Sequence, residues 1–142
     1  TDISIIAVET PFDGQEIDLQ YVKTAARQIG AVLKDKSDYH LIVVKSTVVP
    51  GTTDDVVLPI LEASTGKLAG VSFGLGMNPE FLKEGKAVED FMYPDRVIIV
   101  HPFSLAALRP RIIFSDWPEL LTVTNRSLGS AHIFIGHSNT DP

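Results

Sequence analysis

One strand-to-helix stretch decides the fold, and it runs Tyr39-His40-Leu41-Ile42-Val43-Val44-Lys45-Ser46-Thr47-Val48-Val49-Pro50-Gly51-Thr52-Thr53. The run Tyr39–Val44 is largely apolar and rich in β-branched side chains, which predicts a buried β-strand. Pro50-Gly51 predicts a turn, and Thr52 or Thr53 is expected to cap a helix. Asp54 and Asp55 would occupy the first turn of that helix, where the helix dipole favours acidic side chains.

The same pattern recurs on both sides of this stretch. Ile3–Val8 is an apolar run of strand length, ended by Thr10-Pro11 and the turn residues Asp13-Gly14. Asp18 is expected to cap a helix whose apolar residues recur at helical spacing, namely Leu19, Val22, Ala26, Ile29 and Leu33. Further on, a strand at Val71–Gly76, weakened by its two glycines, a helix opened by Asn78-Pro79 and a strand at Arg96–Val100 are predicted. This alternation predicts an α/β fold with a parallel sheet.

Composition divides the chain near His101. Residues 1–100 carry the whole net charge of -6, whereas residues 101–142 have equal numbers of acidic and basic side chains. We therefore expect one α/β domain over 1–100 and a tail of unassigned fold over 101–142. Two tail histidines, His132 and His137, are five residues apart, which suits neither a helix nor a strand face, so no metal site is predicted.

Several classes of function are disfavoured by composition. The net charge of -6 argues against nucleic-acid binding, which needs a basic surface. The absence of cysteine excludes disulfides and a cysteine nucleophile within this sequence, and it fits a reducing, cytoplasmic location. No apolar stretch approaches the ~20 residues of a membrane span, so no membrane partner is predicted. Thr1–Val8 lacks the features of a signal peptide and begins directly in a predicted strand, so we expect a missing segment upstream.

Candidate site residues follow the predicted strands. Parallel sheets bind ligands beyond the carboxyl ends of their strands, here Val8–Pro11, Lys45–Thr53 and Met77–Glu84. The four hydroxyls of Ser46, Thr47, Thr52 and Thr53 surround one strand-to-helix turn. They serve either as turn and cap groups or as a polar edge that binds a cofactor or orders a water.

A pair of carboxylates follows the third strand. Glu80 and Glu84 lie four residues apart, on one face of the helix that Asn78-Pro79 is expected to open. Like charges at this spacing cost a few tenths of a kcal/mol. The pair is either a solvated acidic face or a carboxylate pair available for proton transfer at the mouth of the sheet.

Taken in order, three blocks of sequence resemble the UDP-glucose and GDP-mannose dehydrogenase family. They are Val8-Glu9-Thr10-Pro11, Ser46-Thr47-Val48-Val49-Pro50-Gly51-Thr52 and Asn78-Pro79-Glu80-Phe81-Leu82-Lys83-Glu84-Gly85, followed by Pro94-Asp95-Arg96-Val97-Ile98. The resemblance covers residues 1–100 and implies the second half of a Rossmann-like, NAD-binding domain. Within the family, Glu84–Phe91 is most similar to the UDP-glucose members, with the GDP-mannose members as the near alternative.

The resemblance also implies an activity and a role for each matching residue. The family oxidises the C6 alcohol of a sugar nucleotide to a carboxylate in two NAD-dependent steps, through a covalent intermediate on a cysteine. Glu80 would be the acid/base carboxylate, and Thr47 would order an active-site water. The residues implied to line the NAD pocket are Val8, Thr10, Pro11, Phe12, Ser46, Thr47, Val48 and Glu84. Those implied to border the sugar nucleotide are Glu80, Phe81, Leu82, Lys83 and Glu84.

The sequence departs from the family pattern in what it lacks. It contains no glycine-rich pyrophosphate loop, no catalytic cysteine and no sugar-nucleotide domain. A truncated, fused or frame-shifted reading frame would produce this pattern, so we expect the chain alone to be inactive. The alternatives are a non-catalytic module that self-associates or binds a partner through its exposed half-sheet, and a dehydrogenase of the β-hydroxyacid type, which the Asn78–Gly85 block disfavours.

Overall fold

Three strands form one parallel sheet in the computed structural model, which describes residues 1–79 and 85–92. The strands are β1 (Ile3–Ile6), β2 (His40–Val44) and β3 (Phe73–Met77), in the spatial order β1-β2-β3. The helical elements are α1 (Gln20–Leu33), a π-helical turn (Thr53–Val57) that leads into α2 (Leu58–Thr65), and α3 (Ala87–Met92). The predicted parallel α/β architecture is confirmed. The predicted strand Arg96–Val100 and the tail 101–142 lie outside the described residues.

The register of the sheet brings the three strand ends together. Ile6 pairs with Val44, and Val44 pairs with Met77, so all three strands end at the same level. The segments that follow them therefore start side by side at one edge of the sheet, which we call the carboxyl edge.

Helix α1 forms where its apolar spacing predicts. The Asp18 carboxylate accepts a hydrogen bond from the backbone N–H of Gln20 at 2.8 Å, which satisfies one free amide of the first turn. The face toward the core is buried at Val22, Ala26, Gly30 and Leu33, and Leu19 and Ile29 are partly buried beside it. Burial of this apolar stripe against the sheet stabilises the helix.

The core lies between the sheet and its helices. It contains Ile6, Ile42, Val44, Phe73 and Leu75 from the strands, with Val22, Ala26, Leu33, Val57 and Leu61 from the helical elements. Every residue of β2 is buried, as expected for a strand covered on both faces. Strand β1 differs, because the Ile5 side chain is 60% exposed. The predicted third strand forms at Phe73–Met77, and its glycines are buried and pair with Leu41 and Val43.

A small residue permits the close approach of α1 and α2. A Cβ atom on Gly30 would lie 2.5 Å from the Ser64 Cβ and 3.7 Å from the carbonyl oxygen of Leu61. The absence of a side chain at Gly30 is therefore what lets the two helices pack at this distance.

The turn before the π-helical segment forms as predicted, but its threonines do not cap the helix. The Thr52 N–H donates to the Val49 carbonyl at 3.2 Å, and Gly51 has φ +92°, as a type II turn with Pro50-Gly51 at its centre requires. Thr52 already has helical dihedrals, φ -52° and ψ -40°, whereas a capping hydroxyl needs an extended residue to reach the next amides. The predicted cap is therefore wrong. Within the described residues, the buried hydroxyls of Thr52 and Thr53 have no hydrogen-bond partner.

Candidate functional site

Backbone hydrogen bonds extend the sheet past the ends of its strands. The amides of Lys45 and Ser46 both donate to the Ile6 carbonyl, at 2.8 and 3.1 Å, and the Asn78 amide donates to the Val44 carbonyl at 2.9 Å. The segments that follow β2 and β3 are therefore each bonded to the last residue of the neighbouring strand. Their arrangement follows from the parallel register of the sheet.

Ser46 joins the first two of these segments through its side chain. Its hydroxyl accepts a hydrogen bond from the Val8 N–H at 2.9 Å and donates one to the Val8 carbonyl at 2.8 Å. The residue is 5% exposed. Both hydrogen bonds of the Ser46 hydroxyl are thus made within the protein. They continue the pairing of the two segments beyond the last residues of β1 and β2.

Thr10 makes a second link between the same two segments. Its hydroxyl donates to the Thr47 carbonyl at 2.7 Å, and its oxygen keeps lone pairs that can accept a further hydrogen bond. Thr47 is exposed, and Pro11 is exposed beside Thr10. Val48 is buried and belongs to the core, while Val8 is half-buried against it. Ligand-accessible side chains at this part of the edge are therefore those of Thr47, Thr10 and Pro11.

Lys45, the first residue of the predicted ligand-binding segment Lys45–Thr53, supplies a cation for which the sequence predicts no role. Its ammonium donates to the Asn78 side-chain oxygen at 3.2 Å, and both residues are half-buried. The contact joins the segment after β2 to the segment after β3. The sequence signal for this role is the position of Lys45 directly after a strand. Its partner Asn78 lies 33 residues away, so no local pattern predicts the contact.

Residues 11–18 form a closed loop at the same edge. One oxygen of the Asp13 carboxylate accepts from the amides of Gln15 and Glu16, both at 2.8 Å, and the Asp18 amide donates to the Pro11 carbonyl at 2.7 Å. The hydrogen bonds from Glu16 and Gln15 hold the pKa of Asp13 below its usual value. The predicted turn at Asp13-Gly14 is confirmed, with φ +101° at Gly14.

The predicted carboxylate segment, residues 80–84, lies outside the described residues. Its predicted members Glu80, Phe81, Leu82, Lys83 and Glu84 are flanked by Asn78-Pro79 at the carboxyl edge and by Gly85, from which the chain leads to α3. The assignment of these five residues to the site stays a prediction.

The described side chains suit one side of a dinucleotide site. Hydroxyl oxygens, backbone carbonyls and the Lys45–Asn78 pair offer donors and acceptors for ribose hydroxyls and amides, while the sequence holds no glycine-rich loop for a pyrophosphate. Within residues 1–79 and 85–92, no group of three or more His, Cys, Asp or Glu residues is placed to hold a metal ion. No described helix is long and apolar enough to cross a membrane.

Comparison with known proteins identifies the matching family. Residues 1–108 match the model of the UDP-glucose/GDP-mannose dehydrogenase family, NAD binding domain. GDP-mannose 6-dehydrogenase of Pseudomonas aeruginosa is 46% identical over 100 residues, which are 70% of this chain and 23% of that protein. UDP-glucose 6-dehydrogenase AglM of Haloferax volcanii is 49% identical over 100 residues, with the same two shares. The chain therefore spans about a quarter of the length of these relatives.

Solved structures agree with the sequence comparison. A ternary complex of GDP-mannose dehydrogenase from Pseudomonas aeruginosa superposes with a TM-score of 0.75 at 39% identity, covering 83% of this chain and 27% of that one. A UDP-glucose dehydrogenase from Pyrobaculum islandicum superposes with a TM-score of 0.71 at 40% identity, covering 82% of this chain and 26% of that one.

Proposed function

The chain belongs to the UDP-glucose/GDP-mannose dehydrogenase family, and we propose that it forms part of the NAD site of an enzyme that oxidises the C6 alcohol of a sugar nucleotide to a carboxylate. NAD is the cofactor that this domain of the family binds. The observation that carries the proposal is the contact between the Val8–Pro11 and Lys45–Val48 segments at the carboxyl edge. Ligands of open parallel sheets bind at this edge.

Each residue of the edge has a proposed role. Thr47, whose side chain is exposed, orders a water for the reaction and contacts the cofactor. Thr10, Pro11 and Val8 form the wall of the cofactor pocket, and Val48 supports this wall from the core. Ser46 belongs to the same wall through its backbone, because its hydroxyl is bonded to Val8. NAD, when bound, supplies the hydride acceptor.

The segment after β3 is proposed to carry the acid/base chemistry. Glu80 moves protons as the acid/base carboxylate, Glu84 contacts the nicotinamide end of the cofactor, and Phe81 to Glu84 border the sugar nucleotide. Support comes from the Lys45–Asn78 hydrogen bond, which fixes the start of this segment two residues before Glu80. Parallel sheets bind ligands at this edge, where a carboxylate is available for proton transfer.

The substrate proposed is a sugar nucleotide, UDP-glucose or GDP-mannose. The Glu84–Phe91 stretch resembles the UDP-glucose members, whereas GDP-mannose 6-dehydrogenases match the chain at 45% to 49% identity and a UDP-glucose 6-dehydrogenase matches it at 49%. A uronic-acid product of either reaction would supply polysaccharide biosynthesis. The chain alone is proposed to be inactive, because the family's second oxidation uses a thiol and this sequence contains no cysteine.

A segment-exchange experiment tests the proposal. Residues 1–100 replace the matching segment of the Pseudomonas aeruginosa GDP-mannose 6-dehydrogenase, and turnover is measured with GDP-mannose and UDP-glucose. In the active hybrid, Glu80→Gln should lower kcat by ~10²–10⁴, the range for loss of a positioned acid/base. The control Glu89→Gln removes an exposed carboxylate of α3 and should leave kcat unchanged. Equal kcat in the hybrid and its Glu80→Gln variant would refute the assignment of Glu80.

A second candidate function is a self-associating module built on the same half-sheet. The observation that favours it lies in β1, whose Ile5 side chain is 60% exposed and which pairs only with β2 among the described strands. An uncharged edge strand can pair with another chain. Sedimentation over a range of concentrations separates the candidates: a dimer that Ile5→Lys dissociates supports the module, and a strict monomer argues against it.

A further inference from the structure

Phe12 has a large aromatic side chain that is exposed to solvent on a loop closed by hydrogen bonds. It is 65% exposed, and its backbone pairs with Ile17 across the closed loop of residues 11–18. The Asp18–Pro11 hydrogen bond joins the two ends of that loop, and the Asp13 carboxylate bonds to the amides of its turn. These contacts fix the backbone that carries the ring.

The loop stands at the proposed cofactor edge. Thr10, two residues before Phe12, donates its hydroxyl hydrogen bond to the Thr47 carbonyl at 2.7 Å. Thr10 and Pro11 are the residues that the proposed function assigns to the pocket wall. The ring of Phe12 therefore belongs to the rim of the same edge.

The charge of the loop restricts what can bind there. Residues 9–18 contain four carboxylates, from Glu9, Asp13, Glu16 and Asp18, and no lysine or arginine. Such a surface repels phosphate groups. It accepts neutral or cationic rings and the hydroxyl and amino groups that donate hydrogen bonds, which are the features of a nucleoside.

We propose that Phe12 is a stacking platform for a heteroaromatic ring of the dinucleotide. The proposal rests on the proposed function: the family resemblance implies only that Phe12 lines the NAD pocket, and the proposal adds a ring-on-ring contact made by its side chain. Every base has a flat π-face, so stacking on an aromatic side chain does not require a particular base. Adenine and nicotinamide share this chemistry, and the experiment separates them.

The test uses the full chain, labelled for NMR, and three small probes. AMP and nicotinamide mononucleotide each carry one of the two rings, and ribose 5-phosphate carries the sugar and phosphate without a ring. The Phe12 ring signals and the backbone amides of Thr10 and Thr47 are followed during each titration. Phe12→Leu removes the ring but keeps an apolar side chain, and Phe12→Tyr keeps the ring.

The expected result is an upfield shift of the Phe12 ring signals with one ring-bearing probe and none with ribose 5-phosphate. Phe12→Leu should weaken the binding of that probe by about tenfold, and Phe12→Tyr should bind as wild type does. Equal affinity in Phe12→Leu and wild type, with Thr10 and Thr47 still shifted, would overturn the stacking role and leave the proposed function standing. If the Phe12 ring signals shift with protein concentration when no probe is present, the ring contacts a second copy of the chain. That result would also overturn the stacking role. If neither probe shifts Thr10 or Thr47, both the stacking role and the assignment of this edge fail.

Discussion

The Ser46 hydroxyl holds both backbone groups of Val8, accepting from its N–H at 2.9 Å and donating to its carbonyl at 2.8 Å, across 38 residues of sequence. One side chain thereby continues the pairing of β1 and β2 after their ladder has ended. The conformation of the Val8–Thr10 segment is set by this pair of contacts before any ligand binds. Such preorganisation reduces the entropy cost of binding.

Removal of that hydroxyl should destabilise the chain. Ser46→Ala leaves the half-buried N–H and carbonyl of Val8 without these partners, and a lost hydrogen bond typically costs about 0.5–1.5 kcal/mol. Urea denaturation of the two proteins measures the difference. Thr24→Ala serves as the control, because its hydroxyl bonds only to Gln20 within an exposed turn of α1, and it should change stability little. A Ser46→Ala chain as stable as Thr24→Ala would show that the hydroxyl has no such role.

Gly30→Ala should destabilise the chain although alanine is the better helix former. The new methyl group meets Ser64 Cβ at 2.5 Å, and overpacking of this kind typically costs about 1–3 kcal/mol. The gain in helix propensity, about 1 kcal/mol, offsets only part of this. A double-mutant cycle with Ser64→Gly should show favourable coupling between the two substitutions. Additive effects, or a stabilised Gly30→Ala chain, would contradict the close packing of α1 and α2.

His40 should make stability depend on pH in the weakly acidic range. Burial, and next the Lys36 ammonium, lower the pKa of its imidazole; the amino terminus acts in the same direction, whereas Asp2 and the Thr1 backbone oppose them. A group with a lowered folded-state pKa binds its proton more readily in the unfolded chain. The neutral form therefore stabilises the fold above the unfolded-state pKa of about 6.5, and this contribution is lost as the pH falls through the folded-state value.

The free energy of unfolding is measured from about pH 7.5 to about pH 5.5, a range that spans the unfolded-state pKa of the imidazole. Wild type should lose stability toward the acid end, whereas His40→Gln should show a flatter profile. Its side chain has no proton to gain and can still bond to Ser4, as the His40 Nε2 does at 2.9 Å. Parallel profiles in the two proteins would exclude His40 as the source.

The division of the chain near His101 gives a further prediction. The composition changes there, so residues 101–142 are expected to contribute few contacts to the domain. Deletion of these residues should leave the midpoint of thermal unfolding nearly unchanged. Loss of cooperative unfolding in the shortened chain would place the tail within the core and the boundary elsewhere.

The sequence predicts those features that depend on local pattern. The apolar spacing of Leu19–Leu33 gave α1, Asp18 gave its first-turn hydrogen bond, and the alternation of elements gave the parallel sheet and its ligand-binding edge. Because parallel strands end at one edge, the sequence also indicated that the Thr10, Ser46 and Asn78 segments would meet.

Features that depend on distant partners or on backbone angles were not predictable. The Ser46–Val8 and Lys45–Asn78 contacts join residues more than 30 positions apart, and no local pattern selects one partner among many. The hydroxyls of Thr52 and Thr53 fit a capping pattern, yet the helical dihedrals of Thr52 prevent it. Hydroxyl-rich turns in a sequence therefore indicate a polar edge without revealing which hydroxyls remain free for a ligand.

Titration of NAD into the full chain tests most directly whether the carboxyl edge is one side of a nicotinamide dinucleotide site. Calorimetry gives the affinity, and amide shifts show where the cofactor binds. Two lost hydrogen bonds to the pyrophosphate, at about 1.5–3 kcal/mol each, weaken binding by roughly two to four orders of magnitude. We therefore predict weak binding, far above micromolar dissociation constants, with shifts at Val8, Thr10 and Thr47 and none at His40 or Lys36. Micromolar affinity would mean that another part of the chain or a second copy completes the site, and shifts confined to the opposite edge would contradict the account.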